Sequence, residues 1–449
     1  MGISVPLLLA TLVAALGGFL FGYDTAVISG AVGALEKHFL LTPLQTGWAG
    51  ASAIIGCIPG AMLAGFLSDW FGRKKILLLC ALLYCVSGLW SAVPTSFAEF
   101  IVARFFGGLA IGASSMICPT YIAELAPEKQ RGWLCALFQL GIVVGIFIVF
   151  FVNMLIQGAG DAVWNEALGW RWMLGSEALP AALFFGLLFT VPESPRWLVQ
   201  NAREDEARAI LARLVGAEHA EREIRAVAAV SGEAEGRFLD LFAPQWRRPL
   251  IIAVGLAVFA QFSGINAIMY YAPEVFKTAG ASSNAAFASA VWVGLINLLF
   301  TFIAIAFVDR LGRKPLLLAG SALQVAALAW VGWCYHTHVG GTPLLLGVLA
   351  FVAAFAMAMG PIPWIVISEI FPGRIRGRAV AVGVFMIWVS CYLVAQTFPL
   401  LNRSLGGAAT FWIYGACSLA GLAFVALVLP ETKGRTLEEI EASWRKERN

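Results

Sequence analysis

The sequence predicts an all-α integral membrane protein of twelve transmembrane helices, arranged as two related six-helix halves. Three observations lead there: a composition that no water-soluble interior could hold, twelve apolar runs of membrane-crossing length, and a set of motifs that recurs once along the chain. Of 449 residues, 60% are hydrophobic and 13% charged, against about 25% charged in a typical soluble domain. Such a chain must use lipid as its solvent. The formal net charge is only +3 and no basic run has the density of a DNA-binding patch, so no nucleic-acid partner is expected.

A helix needs about 20 apolar residues to cross the hydrocarbon core. Runs of that kind lie near 6–30, 47–67, 76–93, 100–120, 133–157 and 172–191, and again near 249–272, 286–308, 316–335, 344–368, 379–400 and 409–429. The first lacks the charged start and small-residue cleavage site of a secretory signal, so it reads as a retained span. Residues 1–191 are thus expected to form an N-terminal half, 192–248 a cytoplasmic linker, 249–429 a C-terminal half and 430–449 a cytoplasmic tail.

Orientation follows from Lys and Arg, because positive loops stay cytoplasmic. The loops after spans 2, 4, 6, 8 and 10, with the tail, hold 25 of them; the alternate loops hold only Lys37, Arg171, Lys277 and Arg403. Both termini are expected in the cytoplasm. Within the linker, Ala207, Ile210, Leu211 and Leu214 fall at the spacing of a short amphipathic helix, whose apolar stripe should lie against the cytoplasmic ends of the spans. The eight cysteines all sit in or against apolar runs, with no CxxC pair and no histidine at ligand spacing. They read as small packing residues, and no metal or cofactor is expected.

The chain repeats itself. Asp69-Trp70-Phe71-Gly72-Arg73-Lys74-Lys75 after span 2 matches Asp309-Arg310-Leu311-Gly312-Arg313-Lys314 after span 8. Glu124 and Arg131 after span 4 match Glu369 and Arg376 after span 10. Pro192-Glu193-Ser194-Pro195-Arg196 closes span 6 as Pro430-Glu431-Thr432-Lys433-Gly434 closes span 12. The offsets of the acids are 240, 245 and 238 residues. Three matched motifs in one order define a duplication, and two parallel halves imply a central site at their interface.

With Arg104-Phe105-Phe106-Gly107-Gly108, these motifs are the signature of sugar porters of the major facilitator superfamily, and the resemblance covers essentially the whole chain. Gly17 through Gly30 and Tyr271-Ala272-Pro273-Glu274-Val275-Phe276-Lys277 are most similar to bacterial D-xylose–proton symporters and their glucose-transporting relatives. The resemblance implies a major facilitator fold in a bacterial inner membrane, monomeric, coupling a monosaccharide to protons by alternating access. It also implies that Asp69, Arg73, Glu124, Arg131, Glu193, Arg196, Asp309, Arg313, Glu369, Arg376 and Glu431 form a latch closing the cytoplasmic side. Topology marking alone would explain the cations, but not the matched acids.

Three ionisable residues fall inside spans: Asp24, Arg104 and Glu177. Each is costly in hydrocarbon and needs a partner. Arg keeps its proton while an Asp in low dielectric can be switched, so ionised Asp24 should pair with Arg104 and protonated Asp24 release it. In the family the corresponding positions carry the coupled proton; the plainer alternative is a permanent pair that fixes packing. Glu177 either tunes Arg104 or joins the cytoplasmic charges. Gly18 and Gly22, like Gly108 and Gly112, have the GxxxG spacing of close helix contacts.

A neutral sugar needs amides for its hydroxyls and aromatic faces for its C–H surfaces. Gln139, Gln261, Asn266 and Asn297 are the mid-span amides, with Trp364 and Trp388 as platforms. Gln261 and Asn266 are five apart, about 140° around an ideal helix, so they converge only if the helix unwinds near Ser263-Gly264. A second break is expected at Gly360-Pro361-Ile362-Pro363. Taken singly, each amide serves interhelical bonding equally well. The resemblance implies sugar contacts at Gln139, Gln261, Asn266, Asn297 and Trp364, with Phe21, Tyr270 and Trp388 in the aromatic lining. Two departures stand out: Ile146 where the xylose symporter has a glutamine, and Ala260 in place of the first of a glutamine pair. Losing two amides changes the hydroxyl pattern expected for xylose, and Ile146, like Gly360-Pro361-Ile362-Pro363-Trp364, agrees with glucose carriers, which favours a hexose such as glucose. Among other classes, a sugar sensor would carry a longer tail than residues 430–449, and a membrane enzyme would need a catalytic cluster that is absent. A uniporter of the same fold is the nearer rival, against which Asp24 argues.

Overall fold

With no water in the hydrocarbon core, every backbone N–H and C=O must be paired within its own segment, and helices do this. The computed structural model describes residues 4–217, 220–222, 224, 238–371 and 373–433; the side chains of Asp309 and Arg376 and the tail beyond 433 lie outside the described residues. The first five spans are α1 (Val5–His38), α2 (Pro43–Phe71), α3 (Arg73–Ala92), α4 (Phe97–Leu125) and α5 (Glu128–Ala159). A short helix, α6 (Ala162–Trp164), and a π-helical turn (Asn165–Gly169) lead into the sixth span, which is divided into α7 (Trp170–Gly175) and α8 (Ala178–Leu188).

After α9 (Pro195–Gln200) and α10 (Glu204–Val215), the seventh span is α11 (Arg247–Phe262) and α12 (Ile265–Thr278), and the eighth and ninth are α13 (Ser283–Leu311) and α14 (Arg313–His336). The tenth is α15 (Thr342–Met357) with α16 (Ile362–Glu369), and α17 (Gly373–Val428) carries the last two, bent at Gly406 with φ 80°. Counted singly, ten described helices are long and apolar enough to cross a membrane. The expected twelve spans are recovered because the sixth is split at Ser176-Glu177 and the last two run together. Large apolar side chains such as Phe66, Trp70, Leu179 and Leu427 are exposed, which is the surface of a chain solvated by lipid.

By packing, the described chain divides into two compact units: Met1–Ala31, Ser52–Val152 and Ala162–Ala234, and Val32–Ala51, Asn153–Asp161 and Glu235–Asn449. In the first unit, glycines set the helix spacing. A Cβ on Gly22 would lie 1.9 Å from the Ile142 carbonyl oxygen, and one on Gly145 would lie 2.1 Å from that of Phe19. A Cβ on Gly108 would lie 1.8 Å from the Ala53 oxygen, and one on Gly56 2.2 Å from that of Phe105. The glycine pairs of α1 and α4 therefore meet reciprocal pairs, Gly141/Gly145 on α5 and Gly56/Gly60 on α2. Backbone on backbone is the closest approach two helices can make, and it is how membrane helices gain dispersion contacts.

The linker helix α10 buries Ala207, Leu211 and Leu214, as its periodicity requires. Its stripe packs on Trp197, Leu198 and Val199 of α9 and on Ala220 and Ile224. Its far end meets the start of the first span, where the Ser4 hydroxyl donates to the Leu214 carbonyl at 2.6 Å, and Leu211 shares a cavity wall with Thr120 and Glu124 at the end of α4.

In the second unit the residues 32–51 are tied to α12 and α17. Gln396 Nε2 donates to the Leu44 carbonyl at 2.9 Å, Tyr271 Oη donates to that of Thr46 at 3.4 Å, and Glu36 lies 3.7 Å from Arg403. Backbone departs from helix at both expected breaks. Gly264 adopts φ 87° between α11 and α12, and residues 358–361 separate α15 from α16. Only glycine takes that φ without strain.

Overpacking a well-filled contact costs about 1–3 kcal/mol. Gly108→Val meets backbone rather than a movable side chain and is expected to reach the top of that range, lowering the thermal unfolding midpoint followed by tryptophan fluorescence. Gly65→Val, whose Cβ meets nothing within 4 Å, should leave the midpoint unchanged.

Candidate functional site

The three buried charges meet in the first unit. Asp24 is presented by α1, Arg104 by α4, and Glu177 by the turn that divides the sixth span. Arg104 Nη1 donates to Asp24 Oδ1, and Arg104 Nη2 donates to the Asp24 main-chain carbonyl at 3.0 Å. Glu177 Oε2 stands 4.0 Å from Arg104 Nη1. All three residues are 0–1% exposed, so solvent screening is absent and charge balance must be local. Among the described residues, Asp24 Oδ2, Arg104 Nε and both Glu177 oxygens have no hydrogen-bond partner. Two carboxyl groups facing one guanidinium leave a place for one proton. The approach depends on Gly107, where a Cβ would lie 2.4 Å from Ser87 Oγ and 2.9 Å from Asp24 Oδ2. No spacing rule in the sequence marked Gly107 for this; only the packing does.

The residues expected to meet a sugar fall into two sets. In the second unit the left-handed Gly264 turns α12 so that Asn266 Nδ2 donates to Gln261 Oε1. The two amides, which an unbroken helix would splay apart, are thereby brought together. Tyr270 and Trp388 are buried at 4% and 6% exposure, and the Tyr270 hydroxyl lies 3.6 Å from Cys391 Sγ, one turn beyond Trp388. Asn297 is buried on α13, whereas Trp364, just past the second break, is exposed. In the first unit Phe21, Gln139 and Ile146 are all half-buried. Ala260 is buried at the end of α11.

The duplicated motifs form a ring of hydrogen bonds in each unit. In the first, Gly72 takes φ 98° and starts α3. Arg73 makes a forked pair with Glu124, Nε to Oε2 and Nη2 to Oε1, both at 3.0 Å, and reaches Asp69 at 3.1 Å. Glu193 accepts from the backbone N–H of Arg73 at 3.0 Å, of Lys74 at 3.1 Å and of Ser194 at 2.8 Å, placing an anion on the N-terminus of α3. The Ser194 hydroxyl donates to Glu124 Oε2 at 2.5 Å.

In the second unit Gly312 takes φ 94°, Arg313 Nη2 donates to Glu369 at 2.8 Å, and Glu431 accepts from the backbone of Arg313 and Lys314 at 3.2 and 3.0 Å. Thr432 donates to Glu369 Oε2 at 2.6 Å. Burial would raise the Glu431 carboxyl, but the backbone N–H groups of Lys433, Arg313, Lys314 and Thr432 hold it below its ordinary 4.5. Its contribution to stability is therefore complete above the ordinary value and is lost as pH falls through the lowered one. Ser194 and Thr432 were missed as ring members, although a hydroxyl residue directly after the acid in both copies was the available signal. Arg131 and Arg196 border the first ring. Asp309 and Arg376 belong to the second motif, with side chains outside the described residues.

Paired rings on two sets of membrane helices, with buried ionisable residues between spans, define a multi-pass membrane protein of the major facilitator fold. Residues 10–444 match the family described as "Sugar (and other) transporter", and the chain belongs to it. It is 41% identical to the arabinose-proton symporter of Bacillus subtilis over 439 residues, 97% of this chain and 95% of that protein. It is 42% identical to the D-xylose-proton symporter of Escherichia coli over 472 aligned positions, again 97% of this chain and 95% of that one. An inward-open structure of the E. coli xylose transporter XylE superposes with a TM-score of 0.88 at 39% identity, covering 98% of this chain and 100% of that one.

Removing one partner of a buried charge pair costs about 3–5 kcal/mol. The Arg73 and Glu124 side chains are 8% and 6% exposed, those of Arg313 and Glu369 13% and 25%. Arg73→Ala is therefore expected to lower the thermal unfolding midpoint of the purified protein more than Arg313→Ala does.

Proposed function

We propose that the chain is a proton-coupled monosaccharide symporter, importing a hexose such as glucose or a pentose such as D-xylose by alternating access. It works as a monomer in a bacterial inner membrane, with both termini cytoplasmic, residues 1–191 and 249–429 as its two halves. The observation that carries this reading is the buried constellation of Asp24, Arg104 and Glu177. A permanent structural pair needs one acid per guanidinium; a second acid 4.0 Å away gives Arg104 somewhere to turn when Asp24 is protonated. Asp24 is the proposed proton carrier, Arg104 the group that stabilises its charged form, and Glu177 the alternative partner of Arg104.

Gln139, Gln261, Asn266 and Asn297 are the proposed hydrogen-bond partners of the sugar hydroxyls, and Phe21, Tyr270, Trp364 and Trp388 the apolar lining. The paired rings of Asp69, Arg73, Glu124 and Glu193 and of Asp309, Arg313, Glu369 and Glu431, with Arg131, Arg196 and Arg376 beside them, are the proposed cytoplasmic latch. The shared plan of the two rings supports this: in each an arginine reaches an acid on another span, a second acid caps the helix that the arginine begins, and the next hydroxyl bonds the first acid.

In proteoliposomes, Asp24→Asn is expected to abolish accumulation driven by a pH gradient while sparing sugar counterflow. A variant that still concentrates sugar would leave the uniporter as the better reading.

Ile146 and Gln139 are seven residues apart, about two turns along one face of α5. An apolar side chain there can pack on a C–H face or a hydroxymethyl group but satisfies no hydroxyl, and a matched hydrogen bond contributes about 0.5–1.5 kcal/mol. Ile146→Gln is expected to strengthen xylose binding relative to glucose. Competition binding of both sugars decides it; a ratio that stays fixed, or moves toward glucose, removes residue 146 from selection.

A further inference from the structure

Glu177 is placed without a hydrogen bond of its own. Both of its carboxyl oxygens lack a hydrogen-bond partner among the described residues, so its distance of 4.0 Å from Arg104 is set by the backbone that carries it. That backbone is loosely held from within the sixth span. Pro180 has no N–H to give the Ser176 carbonyl, which accepts instead from Leu179 at 3.3 Å, and the Glu177 N–H reaches the Leu174 carbonyl at 3.4 Å. Both bonds are long for an N–H donor. On the α3 side the turn meets Gly88, where a Cβ would lie 3.3 Å from Glu177 Cβ, so α3 presents an apolar surface at that point.

A firmer tie comes from α1. The Tyr23 hydroxyl stands 2.7 Å from Ser176 Oγ. The direction of that bond follows from the serine, whose single proton goes to the Met173 carbonyl at 2.6 Å. Tyr23 is therefore the donor, and its proton is given to Ser176 and to neither carboxylate. Its side chain is buried and its ring lies 5.7 Å from that of Phe19, one turn earlier, which fixes the hydroxyl in place. Asp24 follows Tyr23 directly, so the two side chains leave α1 about 100° apart. Asp24 meets Arg104 on α4, and Tyr23 meets the turn of the sixth span.

We propose that Tyr23 is a positioning residue of the coupling site, holding Glu177 at the distance at which Arg104 turns to it when Asp24 takes the proton. On the symporter reading, on which this rests, one helix carries both sides of the exchange. α1 bears the acid that is protonated and also the tether of the acid that replaces it. The other titratable groups near the three charges are Cys57 of α2 and Tyr84 and Cys85 of α3. Cys57 donates to the Ala53 carbonyl at 3.3 Å, and the Tyr84 hydroxyl stands 2.9 Å from Ser114 Oγ of α4. Neither bond engages the turn.

The test is a pH titration of the buried carboxyl C=O stretch by infrared difference spectroscopy, on the full chain in lipid nanodiscs. Asp24→Asn and Glu177→Gln assign the band. Releasing Glu177 leaves Arg104 to Asp24 alone, which keeps Asp24 ionised to lower pH. Tyr23→Phe is therefore expected to move the midpoint to lower pH by up to about one unit, the equivalent of one neutral hydrogen bond. Ser176→Ala should do the same, and Ser176→Thr should keep the wild-type midpoint. In a Glu177→Gln background Tyr23→Phe should add no further shift, because a tether acts only through the group it holds. Should Tyr23→Phe fail to fold, Ser176→Ala carries the same comparison. A midpoint left in place, a band that does not titrate, or an equal shift in both backgrounds overturns the proposal, the last by reducing it to general loosening of the helices. Sugar accumulation under a pH gradient separates the two readings. A chain with the expected shifts but no accumulation keeps the tether and loses the symporter; accumulation with an unmoved band does the reverse.

Discussion

A polar group left unpartnered in hydrocarbon costs several kcal/mol, and the rest of this structure is arranged around that constraint. It makes every span helical. It also makes the few deviations from helix informative, because each must be offset locally. The bend at Gly264 frees the Ala260 carbonyl, which accepts from the Ser263 hydroxyl at 2.8 Å, and the same bend brings Asn266 to Gln261. The split at Ser176-Glu177 holds a carboxylate beside the one buried arginine of α4. Where a charge is buried, its partner is supplied from another helix, and the helices are brought within reach by glycine.

Glycine acts here by absence. Gly22, Gly145, Gly56 and Gly108 all stand against a carbonyl oxygen of the facing helix at distances no Cβ could occupy. The helices α1, α5, α2 and α4 therefore pack backbone to backbone, and Asp24 and Arg104 lie on two of them. Gly107 continues the same logic at the charged site, where the missing side chain is the room that Asp24 fills. Packing and electrostatics are thus one problem in this unit. A methyl group added at any of these positions is also a change in the distance between charges.

The duplicated motifs show how a sequence repeat becomes a repeated physical device. In each unit a left-handed glycine starts a helix and an arginine beside it reaches an acid on another span. A second acid, from the segment after the sixth or twelfth span, caps the new helix through its backbone N–H groups. The charge of the second acid is thereby spent on a helix terminus, leaving the arginine to the first. A hydroxyl from the residue after the capping acid completes the ring in both copies.

Composition, span number and the twofold repeat were all legible in the sequence, because they rest on one-dimensional properties: apolar run length, charge count and motif order. So were the buried trio of Asp24, Arg104 and Glu177, singled out by the cost of charge in lipid, and the breaks at Gly264 and Gly360, singled out by residues that cannot continue a helix. The split of the sixth span was not read, although Pro180, which has no N–H to give the Ser176 carbonyl four residues before it, was the available signal. Nor were the reciprocal glycines of α2 and α5, the role of Gly107, or the hydroxyls of Ser194 and Thr432. These depend on which helix lies opposite and at what rotation, and that is decided only when the helices pack. The amphipathic stripe of α10 makes the same point: periodicity determined which face is buried, while the tertiary structure decided that Trp197 and Leu198 of α9 are among the residues that receive it.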